Sequence, residues 1–398
     1  MKKYVFLTPA IGNFGGSQMY VNNKAQYLER QGWEVVVLYT AQYDNYLLPY
    51  LERFKDNYIR DFIYYTPAAI PGFKKKSLLK SAARVIGTAD EIVLESHFLW
   101  LAFWGELIAK EVGARHIVNF LEEPVIKYSE KEYAFWEYKL TRWEFMNASL
   151  RSLHRLFKDA YKEEYVNYEH PIKFMCSNVV SNDIKYPEDK ITGDFKILSV
   201  GRLDKPYVKP MLDEIKLFAN NNPSKKISIF MVGGSNSGEL ENDIPDSYKI
   251  PNVSFVMLGY TFPVPNNLIK ACDVAIATSN AVLVSADLGV PTISIDMNDY
   301  QAIGVFGYDT DQTLMRKDEK PISVSTLLED IANAGKYPKG IHAKDNNREM
   351  DEEFEREIRF LERSANNKGY YDIMSLYSPL YRFIAVTKWF VHDKLKIK

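Results

Sequence analysis

Short apolar runs of strand length alternate along the chain with segments in which apolar residues recur every three or four positions. The runs are rich in Val, Ile and Phe, which favours buried strands, and the segments between them have the period of amphipathic helices. This alternation predicts parallel sheets whose strands are joined by crossover helices. The predicted strands lie at 4–7, 34–39, 91–95 and 116–121 in the first half, and at 196–200, 227–232, 253–257, 273–278 and 291–295 in the second.

The two sets of strands predict two doubly wound α/β domains in series. Residues 182–193 form the predicted joint, because this segment is polar, contains Pro187 and Gly193, and directly precedes the first strand of the second set. We therefore predict Rossmann-like domains over 1–185 and 186–365. Within 351–363, the apolar residues fall on one face of a charged helix, which predicts a packed surface helix.

Composition narrows the class of protein. The hydrophobic content of 46% is typical of a folded globular chain, and the net charge of −2 gives no indication of nucleic-acid binding. Two cysteines, Cys176 and Cys272, fit a reducing compartment better than a disulfide scaffold. The apolar run before Pro9 is too short for a signal peptide, and no stretch approaches the ~20 apolar residues of a membrane span. We expect a cytoplasmic protein, with attachment to the inner membrane surface as an open alternative.

Basic side chains follow the first strand of the second half. Gly201 and Arg202 come directly after this strand, and Lys209 lies at the start of a helix predicted over 211–219. An arginine fork and a lysine beside a helix N-terminus suit the diphosphate of a nucleotide-linked substrate. The alternative is a surface ion pair between Arg202 and Asp204.

Four further loops lie where ligands bind in doubly wound domains, at the carboxyl ends of strands. Gly15, Gly16 and Ser17 form a strand-to-helix turn that either binds an anion or serves only as a turn. Gly233 leaves room for a ligand or provides flexibility, and Tyr260 is a candidate for stacking on a base. Two residues at the start of a later helix either cap it or bind a diphosphate: Ser279 and Asn280.

The order of these motifs resembles that of the retaining glycosyltransferases of the GT-B fold, in particular the family-four group. The resemblance runs from the glycine turn at 15–16 through Val-Gly-Arg-Leu at 200–203 and Met-Val-Gly-Gly at 231–234 to Leu-Gly-Val-Pro at 288–291. It implies two Rossmann-like domains facing each other across a cleft, with a last helix over 366–398 packing back on the first. It also implies a nucleotide sugar on the second domain, with the diphosphate on Arg202 and on Lys209 or Lys205, and an acceptor on the first.

The sequence departs from this family at the family's pair of glutamates. Those positions are Ile276 and Val284 here, and the nearest polar residues are Ser285 and Asp287, so we place Ser285 among the candidate donor contacts. The family's histidine at the end of the fourth strand is also absent, and Glu122 and Glu123 follow that strand instead. Glu122 is our catalytic candidate beside Arg202 and Lys209, with plain loop charge as the alternative.

The acceptor candidates are Glu123 and His97, although a histidine beside aromatic residues is more often a core residue. Fixed cations can stabilise a departing diphosphate without a metal ion, and the chain has no Asp-x-Asp signature or His/Cys ligand cluster. We therefore expect no metal and no cofactor.

The resemblance implies a retaining hexosyltransferase that acts on a saccharide or lipid-linked saccharide in bacterial surface polysaccharide synthesis. Two other functions stay open: a nucleotide-sugar epimerase or hydrolase, and a catalytically silent saccharide- or partner-binding protein. A dehydrogenase is disfavoured, because neither half has the dinucleotide fingerprint.

Two basic segments raise the possibility of a membrane surface. Residues 71–85 are basic and amphipathic from Lys74 to Arg84, and residues 381–398 mix aromatic residues with cations. Both patterns suit an anionic bilayer. The alternative is a solvated helix in the first case and a helix packed on the first domain in the second.

Overall fold

A computed structural model of the protein describes residues 1–12, 15–42, 48–63, 66–119, 129–158, 161–167, 184–235, 238–342 and 346–395. The chain forms two compact units. The first comprises Met1–Met175 and Asp351–Lys398, and the second comprises Cys176–Met350.

The first unit is built on a five-stranded parallel sheet. Its strand order is β2-β1-β3-β4-β5, so the direction of strand addition reverses between β1 and β3. The strands are β1 (Lys2–Thr8), β2 (Glu34–Tyr39), β3 (Glu91–His97), β4 (Arg115–Asn119) and β5 (Phe145–Met146). The helices are α1 (Gly16–Arg30), α2 (Pro49–Glu52), α3 (Gly72–Ile86), α4 (Leu99–Val112), α5 (Glu130–Thr141), α6 (Leu150–Phe157), α12 (Asn346–Glu362) and α13 (Pro379–Leu395).

The second unit contains a six-stranded sheet in the order β11-β10-β9-β6-β7-β8, in which only the β10–β11 pair is antiparallel. The strands are β6 (Phe195–Val200), β7 (Ile227–Val232), β8 (Val253–Met257), β9 (Val274–Ala277), β10 (Thr292–Ile295) and β11 (Ala302–Val305). The helices are α7 (Val208–Asn221), α8 (Leu240–Ser247), α9 (Asn266–Ala271), α10 (Ala281–Ala286) and α11 (Val324–Ala332).

Both faces of the second sheet are covered, which explains why its strands are continuous apolar runs. Along β6, Ile197 belongs to one buried cluster and Leu198 to the other. The same alternation holds for Ile229 and Phe230 in the neighbouring strand. Side chains of successive strand residues point to opposite faces, so a strand buried on both sides is apolar at every position.

From Asp351 on, helix α12 belongs to the first unit, whereas the sequence prediction placed 351–365 in the second domain. Its Glu357 is fully buried and lies 2.7 Å from the ammonium of Lys24 in α1. The same ammonium lies 2.5 Å from Glu95 of β3. A charged helix can carry one buried carboxylate when a buried cation pairs with it.

A second buried network joins α4, β4 and α5 in the first unit. The Lys139 ammonium lies 2.6 Å from Glu106 and 2.8 Å from Glu144. Glu106 also accepts a hydrogen bond of 2.6 Å from Nδ1 of His116, and His116 Nε2 lies 2.8 Å from the hydroxyl of Ser96. Because a carboxylate only accepts, Nδ1 carries the ring proton and Nε2 accepts from the serine.

This network predicts that the first unit loses stability in acid. Burial and the charge of Lys139 lower the pKa of His116 from 6.5 to about 4. Burial would raise the pKa of Glu106, but Lys139 and His116 lower it to about 2. Both groups therefore bind protons more readily in the unfolded chain, and the stability they contribute is lost as pH falls. For His116 this loss is about 3 kcal/mol between about pH 6.5 and pH 4.

Urea unfolding followed by tryptophan fluorescence measures this effect, because all six tryptophans belong to the first unit. His116→Gln should flatten the pH dependence of the unfolding free energy over the histidine range. The exposed His154 provides a control, and His154→Gln should leave the slope unchanged. Equal slopes in the wild type and His116→Gln would contradict the assignment.

Candidate functional site at the carboxyl ends of the strands

The reversal of strand order marks the expected ligand site in each unit. In doubly wound sheets, ligands bind outside the carboxyl ends of the two strands at which the order reverses. In the second unit these strands are β6 and β9, which are direct neighbours. The residues that follow them are Gly201 and Arg202 after β6, and Thr278, Ser279 and Asn280 after β9. The topology therefore places three of the predicted donor residues at one switch point.

Arg202 is ion-paired in the structure. Its Nε lies 3.2 Å from Oδ1 of Asp204, and 37% of its side chain is exposed. The exposed Lys209 occupies the first turn of α7, which begins at Val208 and not at the predicted position 211. The exposed Lys205 lies between them in the chain. The cations predicted for the diphosphate are thus at the surface, and Asp204 is the group that a phosphate would displace from Arg202.

Tyr207, which lies between Arg202 and Lys209 in the chain, is buried. Its ring is 1% exposed, and a Cβ on Gly201 would lie 2.5 Å from its hydroxyl oxygen. Gly201 has a φ of +152°, which side chains rarely adopt. The segment after β6 is therefore packed onto the domain by Tyr207.

Gly233 is required by the packing of the sheet edge. Its φ is +137°, and a Cβ there would lie 2.0 Å from the carbonyl oxygen of Gly201. Its N–H donates to the carbonyl of Gly259 over 2.8 Å, and the Leu203 N–H donates to Gly234 over 3.1 Å. The loops after β6, β7 and β8 thus contact one another through backbone atoms. This backbone contact is a structural reason for a glycine at position 233, as an alternative to the predicted role of leaving room for a ligand.

Gly233→Ala should therefore destabilise the second unit by about 3 kcal/mol or more, since the new methyl group meets backbone atoms in addition to the unfavourable φ. Scanning calorimetry of the full chain measures the loss. Gly238→Ala is the matched control: its φ is +73°, but a Cβ there meets nothing within 4 Å. It should cost only about 1–2 kcal/mol. Equal losses in the two variants would contradict the backbone contact.

Tyr260 is half-buried and packs on the same edge. A Cβ on Gly234 would lie 2.4 Å from its ring, so one part of the ring already contacts the backbone after β7. Its hydroxyl oxygen is buried without a hydrogen-bond partner, and burial raises its pKa, partly offset by Arg202. Stacking of Tyr260 on a base stays a prediction. A base could stack only on the part of the ring that does not contact the backbone after β7.

The polar residues after β9 differ in whether their side chains could contact a ligand. Asn280 is the N-cap residue of α10, but its side chain makes no capping hydrogen bond, and Ser279 has a φ of +57°. The side chain of Asn280 therefore does not cap the helix, and both residues are half-buried. Ser285 differs, because it is fully buried and its hydroxyl accepts a hydrogen bond from Thr292. This hydrogen bond connects α10 to β10 inside the domain, and the place of Ser285 among the donor contacts stays a prediction.

In the first unit the strand order reverses between β1 and β3. The chain after β1 leads to Gly15, the N-cap residue of α1, which has an extended φ of −167°. As a glycine it offers no side chain to cap the helix. Gly16 is exposed, and the half-buried Ser17 donates a hydrogen bond to the side chain of Gln18 over 3.1 Å. The first turn of a 15-residue helix thus lies near this switch point.

Among the residues that the structure describes at this edge, three buried polar side-chain atoms have no hydrogen-bond partner. They belong to residues at the ends of the three adjacent strands β2, β1 and β3, and a buried polar atom left unpaired costs about 1–3 kcal/mol. They are Oγ1 of Thr40, Oγ1 of Thr8 and Nδ1 of His97. The sequence analysis selected only His97, because a threonine after a strand carries no distinguishing signal.

His97 is fully buried, as its core interpretation requires, and its Nε2 lies 2.7 Å from Glu95. Asn119 also donates to Glu95, over 2.7 Å. Burial alone would raise the pKa of Glu95, but the Lys24 ammonium and the hydrogen bonds from His97 and Asn119 hold this pKa below its usual range. The ring is therefore oriented by an ionised carboxylate, with its second nitrogen left unpaired.

Two predicted residues, Glu122 and Glu123, lie outside the described residues. Across the described ranges, no group of three or more His, Cys, Asp or Glu side chains is arranged to hold a metal ion. Within those ranges the structure also has no helix long and apolar enough to cross a membrane.

No protein-family model matches the chain, and no curated protein matches it. Solved structures do match over nearly their whole length. An S. aureus MnaA–UDP co-structure is 14% identical with a TM-score of 0.54, covering 93% of this chain and 99% of that one. A glycosyltransferase from Rickettsia africae ESF-5 is 12% identical with a TM-score of 0.54, covering 100% and 99%. A UDP-GlcNAc 2-epimerase from Neisseria meningitidis bound to UDP-GlcNAc is 13% identical with a TM-score of 0.51, covering 91% and 99%.

The chain has the GT-B fold. This confirms the predicted α/β class with two Rossmann-like domains. At 12–14% identity the likeness establishes the fold alone. The function must therefore be argued from the residues at the two switch points.

Proposed function

We propose that the protein binds a nucleotide sugar at the switch point of the second unit and transfers its sugar to a saccharide acceptor. The observation that carries this proposal is that Arg202, Ser279 and Asn280 directly follow the adjacent strands β6 and β9. The guanidinium binds the diphosphate, and Lys209 or Lys205 adds a second positive charge. Bound UDP or UDP-sugar in solved structures of the same fold supports this choice of ligand.

The cations would act on the leaving group. When the bond between sugar and diphosphate breaks, negative charge develops on the phosphate oxygens, and fixed donors stabilise that charge without reorganisation. Asp204 keeps the Arg202 side chain close to its position before the ligand arrives. We expect no metal and no cofactor in this step, and retention of configuration is part of the proposal.

We place the acceptor at the switch point of the first unit. The unpaired atoms of Thr8, Thr40 and His97 suit the hydroxyl groups of a saccharide, which both donate and accept hydrogen bonds. Glu122 and Glu123 remain predicted catalytic and acceptor contacts. A saccharide or lipid-linked saccharide of a surface polysaccharide is the acceptor class that the sequence resemblance favours.

A nucleotide-sugar 2-epimerase or hydrolase is the second candidate. The observation in its favour is that the UDP-GlcNAc 2-epimerase from Neisseria meningitidis matches with a TM-score of 0.51, against 0.54 for the glycosyltransferase. An epimerase needs acid and base groups at the sugar. The residues that directly follow β6 and β9 are Gly201, Arg202, Thr278, Ser279 and Asn280, and none of them is a carboxylate or a histidine, which favours transfer.

Product analysis distinguishes the candidates. The purified protein is incubated with nucleotide sugars, with and without a set of saccharide acceptors. Nucleoside diphosphate released only with an acceptor, together with a lengthened saccharide, supports transfer. An epimerised sugar or acceptor-independent release supports the second candidate. Binding without any product in the full set overturns both and leaves the silent binder. Arg202→Ala serves as the control for activity from a contaminant.

A further inference from the structure

The outward face of α13 is apolar. Within 379–391, the part of the helix whose side chains the structure describes, six positions fall within about 120° of the helix circumference at about 100° per residue. Five carry large apolar side chains, with Phe383 71% and Leu380 69% exposed. At the sixth, Thr387, the hydroxyl is occupied by a hydrogen bond to the carbonyl of Phe383. The exposed apolar side chains of this face are Leu380, Phe383, Ile384, Phe390 and Val391.

The opposite face of α13 is already packed. Trp389 is 5% exposed and belongs to the same buried cluster as Leu78 and Ala82 of α3. An ordinary surface helix has one apolar face toward the core and a polar face toward water. Helix α13 is apolar on both sides, so its outward face has no partner within the described part of the first unit.

Helix α3 adds positive charge beside this face. Between Gly72 and Ile86 the sequence has five cations and no acidic residue. Lys76, Lys80 and Arg84 are exposed along one side, and Phe73 at the start of the helix is 72% exposed. Lys74 differs, because it is paired with Asp61 over 3.2 Å.

Helices α3 and α13 are neighbours in the first unit. Besides the shared cluster around Trp389, the Lys75 ammonium lies 3.2 Å from the sulfur of Met374, just before α13. The exposed Lys388 contributes a further cation from α13, beside its apolar face. Its one acidic residue in the sequence is Asp393. We call this surface, formed by α13 and the exposed side of α3, the α3–α13 surface.

We propose that the α3–α13 surface binds the headgroup region of an anionic lipid bilayer. Large apolar side chains can enter the boundary between headgroups and acyl chains, while the surrounding cations contact the lipid phosphates. The charge argues against a second copy of the chain as the occupant. A two-fold dimer through this surface would bring the same cations against each other. The inference does not depend on the proposed sugar chemistry.

Vesicle sedimentation with the full chain tests the proposal. Wild type should bind vesicles of phosphatidylcholine with phosphatidylglycerol, and should bind vesicles of phosphatidylcholine alone much less. Leu380→Ser with Phe383→Ser should lower the partition coefficient roughly tenfold or more. Lys76→Glu with Lys80→Glu should lower it by a similar factor and weaken the salt dependence. All four side chains are exposed, so unfolding temperatures should be unchanged.

The matched controls lie on α7 of the second unit. Leu217 is 49% exposed and Lys216 is exposed, so Leu217→Ser and Lys216→Glu remove the same chemistry from another surface. Both should bind vesicles like wild type. Failure of wild type to bind anionic vesicles would overturn the proposal, and so would full binding by the Leu380/Phe383 variant. If wild type does not bind vesicles but sediments as a dimer, and the Leu380/Phe383 variant sediments as a monomer, the face would instead be assigned to a second copy of the chain.

Discussion

Replacing Lys24 with Met will lower the free energy of unfolding of the first unit by about 3–5 kcal/mol. The Lys24 side chain is fully buried between two fully buried carboxylates, those of Glu95 and Glu357. Without the ammonium, both carboxylates lose their countercharge, and their desolvation is no longer offset. Tyr20 donates to Glu357 over 2.8 Å, and Tyr4 also donates to Glu95, but neutral donors do not replace a cation.

The chain offers a matched control between the same two helices. Arg30 of α1 pairs with Asp351 of α12 over 2.8 Å, and both side chains are about half exposed. Arg30→Ala should change the unfolding free energy by at most about 1 kcal/mol, since exposed ion pairs contribute little. Urea titration followed by tryptophan fluorescence reports on the first unit alone. Equal effects of Lys24→Met and Arg30→Ala would contradict the buried triad.

Arg202→Ala will weaken binding of the preferred nucleoside diphosphate about 10- to 100-fold, the equivalent of a charged hydrogen bond worth about 1.5–3 kcal/mol. A thermal-shift panel of UDP, GDP, ADP, CMP and dTDP, run beside NAD, first identifies the preferred nucleotide. Calorimetric titration then measures its dissociation constant for wild type and variant. The Arg202 side chain is partly exposed, so the unfolding temperature should stay near that of wild type.

The neighbouring lysines separate a specific contact from general positive charge. Lys209→Ala and Lys205→Ala test the two alternatives for the second cation. Lys216→Ala, seven residues further along α7 and exposed like Lys209, is the control and should not change affinity. Unchanged affinity in Arg202→Ala and in both lysine variants would reject the diphosphate site.

The strands were predictable because both sheets are covered on both faces. Most of the predicted strands match the structure to within one or two residues, since a doubly buried strand is apolar at every position. Strand β5 has two residues and β11 pairs antiparallel at a sheet edge, so neither produced a separate apolar run. The predicted second domain included α12 because a charged helix does not reveal that its Glu357 is buried.

The candidate site was predictable in part. The strand ends placed Arg202, Ser279 and Asn280 together through topology alone. The directions in which these side chains and backbone atoms point were not predictable, because they depend on packing between segments distant in sequence. The hydroxyl of Ser285 is used inside the domain, and Gly233 contacts the backbone of Gly201. Thr8 and Thr40 become candidate ligand contacts only because their hydroxyl oxygens are buried without a hydrogen-bond partner.

Amide hydrogen exchange, with and without the preferred nucleoside diphosphate, tests most directly whether the nucleotide binds at the switch point of the second unit. The predicted result is slower exchange in the segments after β6 and β9, residues 201–210 and 278–286, which is lost in Arg202→Ala. Protection confined to the first unit, or no protection in these two segments at saturating nucleotide, would contradict the account.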